Sequence, residues 1–136
     1  MNGSDGPKNA QFEVSVWHQD CQSASVELSG ELDLGSAPKL WDCLAELAKA
    51  RVINLVIDLA NLTFLDSAGI SLFVTAFRRS RISGGSFAVR NAPLRAIRIF
   101  EITGLVDLLS VTALESSADE RRDLPVREAE QKLGVT

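Results

Sequence analysis

The chain has 136 residues, 46% of them hydrophobic and 24% charged, which is enough for one well-filled globular core. Its formal net charge of −4 argues against general nucleic-acid binding, because neutralising phosphates requires an excess of cations. No apolar run approaches the roughly 18 residues that a membrane-spanning helix needs, and the polar N-terminus lacks an apolar signal region, so we expect a cytoplasmic protein.

The first predicted elements are two strands. Apolar and polar residues alternate from Phe12 to Val16 and again from Ala24 to Leu28, a period typical of half-buried strands. The polar segment 18–23 is short enough to make the pair a hairpin. Before the strands, residues 1–10 are polar and are expected to form a disordered leader.

A first helix is expected next, ending near Ala50. Ser36 is a suitable capping residue, and Pro38 falls in the first turn, where its missing N–H has no cost. The apolar residues then recur at helical spacing. After this helix, the almost continuous apolar run from Val52 to Asp58 predicts a central strand covered on both faces, followed by a connector over 59–65.

The second half of the chain repeats the alternation of helix and strand. Ser67 is the predicted cap of a second helix that Gly84 and Gly85 follow. A short strand over 87–90 precedes a third helix, which begins at Pro93, carries Leu94, Ile97 and Phe100 on its apolar face and ends at Gly104. Residues 108–111 are expected to add one more strand.

This order predicts an α/β fold with a mixed, mostly parallel sheet of four to five strands and three to four helices. We expect one domain over residues 11–115. Beyond it, a capping-box pattern at 117–120 favours a short helix, but Pro125 interrupts any longer one. Residues 116–136 are therefore expected to be a short helix or a loosely ordered tail.

Charge is unevenly distributed along the chain. Residues 1–77 carry a net charge of −6, residues 78–98 carry +6 from six arginines and no acid, and residues 99–136 carry −4. The arginines either form a local patch for an anion or a partner, or are the solvated faces of successive elements.

The sequence lacks the patterns of catalytic and cofactor sites. Ser67 has Leu65 where a nucleophile elbow has glycine, and His18 is the only histidine, without an evident partner. There is no phosphate-binding glycine motif and no metal-ligand spacing. Cys21 and Cys43 are expected to be reduced thiols, with a redox-responsive pair as an alternative. We therefore expect no enzyme, no cofactor and no metal.

Ser67 remains the most informative position. A serine at a helix start has its hydroxyl near unpaired N–H groups and the positive end of the helix dipole, where a phosphate can be accommodated. The alternative is that Ser67 only caps the helix, which stabilises it by about 1 kcal/mol.

Four segments resemble the successive signature blocks of the STAS family, in its order and spacing over about residues 10–112: Leu28–Asp33 (LSGELD), Leu55–Leu59 (LVIDL), Phe64–Gly69 (FLDSAG) and Ile102–Leu105 (ITGL). The resemblance is to the phosphorylatable anti-sigma factor antagonists of that family. It implies that Ser67, in the D-S-x-G motif, is the phosphorylation site. It also implies that Asp33, in a loop near Ser67, belongs with Asp66, Ser67 and Gly69 to a partner-binding surface; the alternative for Asp33 is a role at the helix dipole.

The function implied by this resemblance is partner switching that regulates transcription. The unmodified protein would bind an anti-sigma factor that is also a GHKL-type serine kinase, which holds the ATP, and thereby free a sigma factor. Phosphorylation of Ser67 would release the kinase, and a phosphatase would reset the switch. Two alternatives remain: a STAS module of a stress-signalling complex or a lipid-transport ATPase, and a redox-responsive binding module.

Overall fold

The structure is a computed structural model that describes residues 11–114; the expected leader and tail lie outside this range. Within it, no helix is both long and apolar enough to cross a bilayer. The elements in chain order are β1 (Glu13–Asp20), β2 (Ser23–Leu32), α1 (Ala37–Lys49), β3 (Asn54–Leu65), α2 (Ser67–Ile82), β4 (Ser86–Ala92), α3 (Leu94–Thr103) and β5 (Val111–Ala113).

The strands form one five-stranded sheet in the order β1-β2-β3-β4-β5. β1 is antiparallel to β2, and every later pair is parallel. Each parallel pair is connected by one helix. The predicted α/β fold with a mixed, mostly parallel sheet is therefore confirmed, with five strands and three helices in the described residues.

The core lies on one face of the sheet. Val26, Ile57 and Val89 are paired across β2, β3 and β4 and are fully buried. Their neighbours on the opposite face, including Val56 and Ala88, are only half-buried. The expectation that β3 is covered on both faces is thus wrong for the described chain. Because the strands follow chain order, right-handed crossovers place all three helices on the same face.

β3 is also longer than predicted. Residues 59–65, expected to be a connector, continue the strand, and Leu59, Leu62 and Leu65 are buried. The reason is that β2 runs on to Leu32 and offers β3 pairing partners as far as Leu65. This extension determines where the following helix begins.

Two other boundaries differ from the predictions. The hairpin turn comprises only residues 21–22, because β1 and β2 pair almost to their ends. The last strand is residues 111–113 rather than 108–111, because residues 106–110 form turns. In these turns Leu109 N donates to Leu105 O at 3.0 Å, and Leu109 is buried.

The helices pack on the sheet through aromatic side chains. Phe73 of α2 stacks on Phe100 of α3 with ring centroids 6.3 Å apart, and Phe77 meets Phe87 of β4 edge to face at 6.2 Å. α3 ends at Gly104 with φ 73°, as predicted. Leu94, expected on the apolar face of α3, is 68% exposed instead.

Candidate functional site

The ends of β2 and β3 lie side by side and bring the predicted site residues together. Leu32 pairs with Leu65, and the backbone N–H of Asp66 donates to Leu32 O at 3.2 Å. Asp33 and Asp66 are the residues that directly follow this pair. The loop after β2 and the start of α2 therefore form one surface at the carboxyl edge of the sheet.

Asp66, not Ser67, caps α2. Asp66 has an extended backbone, with φ −122° and ψ −172°, and its Oδ1 accepts a hydrogen bond from Ala68 N at 2.9 Å. Ser67 is the first residue inside the helix, so its predicted role as the cap is wrong. An aspartate caps a helix as well as a serine does. The hydrogen bond from Asp66 N to Leu32 O of β2 fixes the residue at which the helix starts.

Ser67 is exposed, and its hydroxyl makes no hydrogen bond to any residue from 11 to 114. Its backbone N–H is likewise without a partner in this range, whereas the N–H of Ala68 is occupied by Asp66. The positive end of the helix dipole also lies at this position. The Ser67 hydroxyl is thus accessible and uncommitted, as a group that receives a phosphate must be.

Gly69 lies beneath this surface, in the first turn of α2. It is buried, and a Cβ built on it would lie 2.6 Å from Leu32 Cδ2 and 2.7 Å from Leu65 Cδ1. Real Cβ atoms do not approach other carbons so closely, so a side chain here would force the side chains of Leu32 and Leu65 to move aside. Gly69 therefore lets the first turn of α2 lie directly against the strand ends, beneath Ser67.

Asp33 has a structural role as well as its place on this surface. Its Oδ1 accepts from Ser36 N at 3.0 Å, while Ser36 Oγ donates to Glu31 O at 2.7 Å and accepts from Asp33 N at 3.0 Å. Ser36 occupies the N-cap position of α1, as predicted, but its side chain makes no capping bond. These bonds all lie within residues 31–36 and fix the shape of the loop between β2 and α1.

Sequence reasoning missed two apolar residues at this edge. Leu34 is 77% exposed in the loop after β2, and Phe64 is 46% exposed near the end of β3. The sequence signal for Leu34 was a leucine in a short polar loop. Phe64 gave no signal, because its segment was predicted to be a connector. Contiguous exposed apolar patches mark protein interfaces, whereas single exposed apolar side chains are common on any protein surface.

The six arginines of the arginine-rich span lie on three different elements, α2, β4 and α3. Five of its six arginines are exposed: Arg78, Arg81, Arg90, Arg95 and Arg98. Of these, Arg95 donates to Thr63 O at 3.2 Å, close to Phe64. Arg79 is half-buried, with its guanidinium 4.8 Å from the centroid of the Trp41 ring.

The remaining reactive side chains lie apart from Ser67 in the chain. His18 is exposed on β1, and Cys21 is exposed in the hairpin turn. Both cysteines are free, and burial raises the pKa of the Cys43 thiol, which lowers its thiolate fraction. No cluster of three or more potential metal ligands occurs in residues 11–114.

Comparisons with known proteins point to one family. The family described as "Mlab, STAS domain" matches residues 17–114. The anti-sigma-B factor antagonist of Bacillus subtilis (strain 168) is 37% identical over 105 residues, covering 77% of this chain and 93% of the relative.

Solved structures share the fold. A crystal structure of an anti-sigma factor antagonist from Mycobacterium paratuberculosis has a TM-score of 0.66 at 23% identity, covering 82% of this chain and 95% of that one. The anti-sigma factor antagonist SpoIIAA in its unphosphorylated form has a TM-score of 0.64 at 20% identity, covering 82% and 98%.

Proposed function

This chain belongs to the STAS domain family, and from that premise we propose that it is an anti-sigma factor antagonist controlled by phosphorylation of Ser67. The observation that carries the proposal is the exposed, uncommitted Ser67 hydroxyl at the start of α2, next to the loop that holds Asp33. The 37% identity to a curated anti-sigma-B factor antagonist supports the same function.

In this proposal the protein is a ligand and a substrate, and the catalytic groups belong to its partner. The partner is an anti-sigma factor that is also a serine kinase of the GHKL type and holds ATP. Ser67 Oγ attacks the γ-phosphorus, the bond to the β-phosphate oxygen breaks, and the hydroxyl proton passes to a base of the kinase, leaving phosphoserine and ADP. While it is bound to the unmodified protein, the partner cannot hold its sigma factor.

Phosphorylation would weaken binding through local charge. The phosphate adds about −1.5 to −2 charges at the surface where Asp33 and Asp66 already lie. A docked partner would bury that charge against like charges with incomplete solvation, which is costly. The fold itself should tolerate the phosphate, since the helix dipole favours an anion at the start of α2. A phosphatase that removes the phosphate would restore binding.

The test is a binding measurement with the cognate anti-sigma factor kinase, identified by a pull-down from the host with the unmodified protein. Ser67→Ala should bind fully and accept no phosphate. Ser67→Glu should keep its circular dichroism spectrum but bind at least about tenfold more weakly, roughly 1.4 kcal/mol. The authentic phosphoprotein should bind more weakly still, because glutamate carries less charge than phosphate.

The matched control is Ser83→Glu, which makes the same chemical change at the other end of α2. This helix has 16 residues and is about 24 Å long, so the control charge lies well away from Ser67. Ser83→Glu should leave partner affinity unchanged. Phosphate found by mass spectrometry at another residue, or equal affinity of the phosphorylated and unmodified protein, would contradict the proposal. Capture of an ABC-type ATPase instead of a kinase would favour the lipid-transport alternative.

A further inference from the structure

A cavity of about 340 Å³ lies between α1 and α2, at the amino ends of the parallel strands and at the opposite end of α2 from Ser67. Its volume is within the range typical of small-molecule sites. The lining includes residues of both helices, the loop before β3 and the hairpin turn. The site proposed above for a protein partner makes no use of this cavity.

The inner walls of the cavity are largely apolar. Leu44 of α1, Leu55 of β3 and Leu72 and Ala76 of α2 contribute aliphatic side chains. Trp41 of α1 also lines the cavity and is 38% exposed, so its ring lies at the opening. Such walls favour the hydrocarbon part of a ligand, because its apolar surface is removed from water.

Two arginines give the cavity a positive charge in a protein that is acidic as a whole. Neither Arg51 nor Arg79 forms a salt bridge with any residue described. Arg51 is held at φ 67°, a left-handed conformation that is unfavourable for a residue with a side chain. Glycine adopts this backbone conformation without the same cost, so an arginine at position 51 is present despite a conformational penalty.

Ser80 supplies a third polar group, and it is unsatisfied. It lines the cavity and is only 3% exposed, yet its hydroxyl makes no hydrogen bond within residues 11–114. Thr75, on the same helix and the same cavity wall, instead donates to Ser71 O at 3.0 Å. Buried hydroxyls normally have a partner, so the Ser80 hydroxyl is a donor available to a ligand.

We propose that this cavity binds a small amphipathic carboxylate. Its apolar body would contact Leu44, Leu72 and the Trp41 ring, and its carboxylate would accept hydrogen bonds from the guanidinium groups of Arg51 and Arg79 and from Ser80 Oγ. A guanidinium matches a carboxylate in charge and in its planar, two-pronged geometry. The site does not depend on Ser67 or on its phosphorylation.

The test uses octanoate as the probe and 1-octanol as its uncharged counterpart. The sequence has two tryptophans, so Trp17→Phe, a change on exposed β1, leaves Trp41 as the only fluorescent tryptophan. Octanoate should change Trp41 fluorescence saturably, with a Kd of about 1 mM or below. Amide NMR shifts should confirm the location at Ala76 and Ser80. Octanol should bind at least about tenfold more weakly, because it leaves both guanidinium groups unpaired.

Variants then separate the charge from the fold. Arg79→Gln should weaken octanoate binding by about tenfold, measured by calorimetry, while the adjacent exposed Arg78→Gln should have no effect. Arg51→Gly should weaken octanoate binding by a similar factor. The same substitution should leave the melting temperature unchanged or higher, because glycine adopts the left-handed backbone without strain. Ser80→Ala should weaken octanoate binding by a smaller factor.

Three results would overturn the proposal: no saturable signal with octanoate, equal affinity for octanoate and octanol, or equal losses in Arg78→Gln and Arg79→Gln. Octanoate affinity in Ser67→Glu should match that of the unmodified protein. The experiments can therefore reject the carboxylate site and support the phosphorylation switch, or reject the switch and support the site.

Discussion

The two ends of α2 differ in shape and in charge. At its start, Asp66 caps the helix and Ser67 projects from an exposed surface that includes Asp33. At its end, Arg79 and Arg81 lie in the last turn, and Arg79 lines a concave, mostly apolar cavity. Acidic groups at the start and basic groups at the end both complement the helix dipole. In the two proposals above, one helix therefore presents a hydroxyl to a protein partner at its start and a cavity for an anion at its end.

Close packing against a glycine holds both ends of α2, and alanine substitutions there should have the largest effects. A Cβ at Gly85, just beyond α2, would overlap Ile53 O, a backbone atom that cannot move without shifting β3. A Cβ at Gly69 would meet only leucine side chains, which can rotate. We expect Gly85→Ala to lower the free energy of unfolding by about 3 kcal/mol and Gly69→Ala by about 1–2 kcal/mol, measured by urea denaturation.

Gly35→Ala is the control for these two substitutions. Its Cβ would lie 3.5 Å from Asp33 Oδ1, an ordinary contact, so stability should change by less than about 0.5 kcal/mol. A larger loss for Gly69→Ala than for Gly85→Ala would show that the start of α2, and not its end, is the less adaptable of the two.

The cap of α2 gives the next largest effect. Asp66→Ala removes the bond to Ala68 N and should lower the free energy of unfolding by about 1 kcal/mol. Ser67→Ala should change it by less than about 0.3 kcal/mol, because Ser67 makes no capping bond. Thermal or urea unfolding of both variants measures this. Equal losses would mean that Ser67 shares in capping and that its hydroxyl is not free.

At the other end of α2, the contact between Arg79 and Trp41 should contribute less. The guanidinium lies 4.8 Å from the ring centroid and is partly exposed. A double-mutant cycle with Arg79→Ala and Trp41→Ala should give a coupling of about 0.5–1 kcal/mol. A coupling near zero would mean that the cavity mouth is not held by this pair.

The smallest effect concerns the thiols and leaves stability unchanged. Cys43 on α1 should react with iodoacetamide more slowly than Cys21 at pH 8, because burial both shields Cys43 and raises the pKa of its thiol. Its rate should continue to increase at a pH where an ordinary thiol is already mostly thiolate. Mass spectrometry of timed samples measures both rates, and equal rates would contradict the burial of Cys43.

Much of the fold could be predicted from periodicity. Alternation identified β1 and β2, and helical spacing identified α2, because these patterns follow directly from which side chains face the core. The length of β3 could not be predicted, since it depends on pairing with β2 as far as Leu32 and Leu65. Strand pairing is a tertiary property that local composition does not report.

The site was predicted in outline only. The resemblance placed Asp33, Asp66 and Ser67 together, and the structure brings the corresponding backbone segments together through the bond from Asp66 N to Leu32 O. Choosing between adjacent Asp66 and Ser67 as the cap required the backbone angles, because both residue types are good caps. The α1–α2 cavity had no signal in the sequence, since its lining comes from several separate segments.

The strand order has a consequence for how the chain folds. Every strand pairs with its neighbour in the sequence, so each new strand adds to a sheet edge that earlier residues have already formed. Only the hairpin of β1 and β2 is local, since parallel partners such as Asn54 and Ser86 lie far apart in the chain. The hairpin is therefore available as a first template, and the parallel pairs should form more slowly. The strand order also allows assembly to proceed from the N-terminus while the chain is being synthesised. Hydrogen exchange should then be slowest in β3 at the centre of the sheet and fastest in the three-residue edge strand β5.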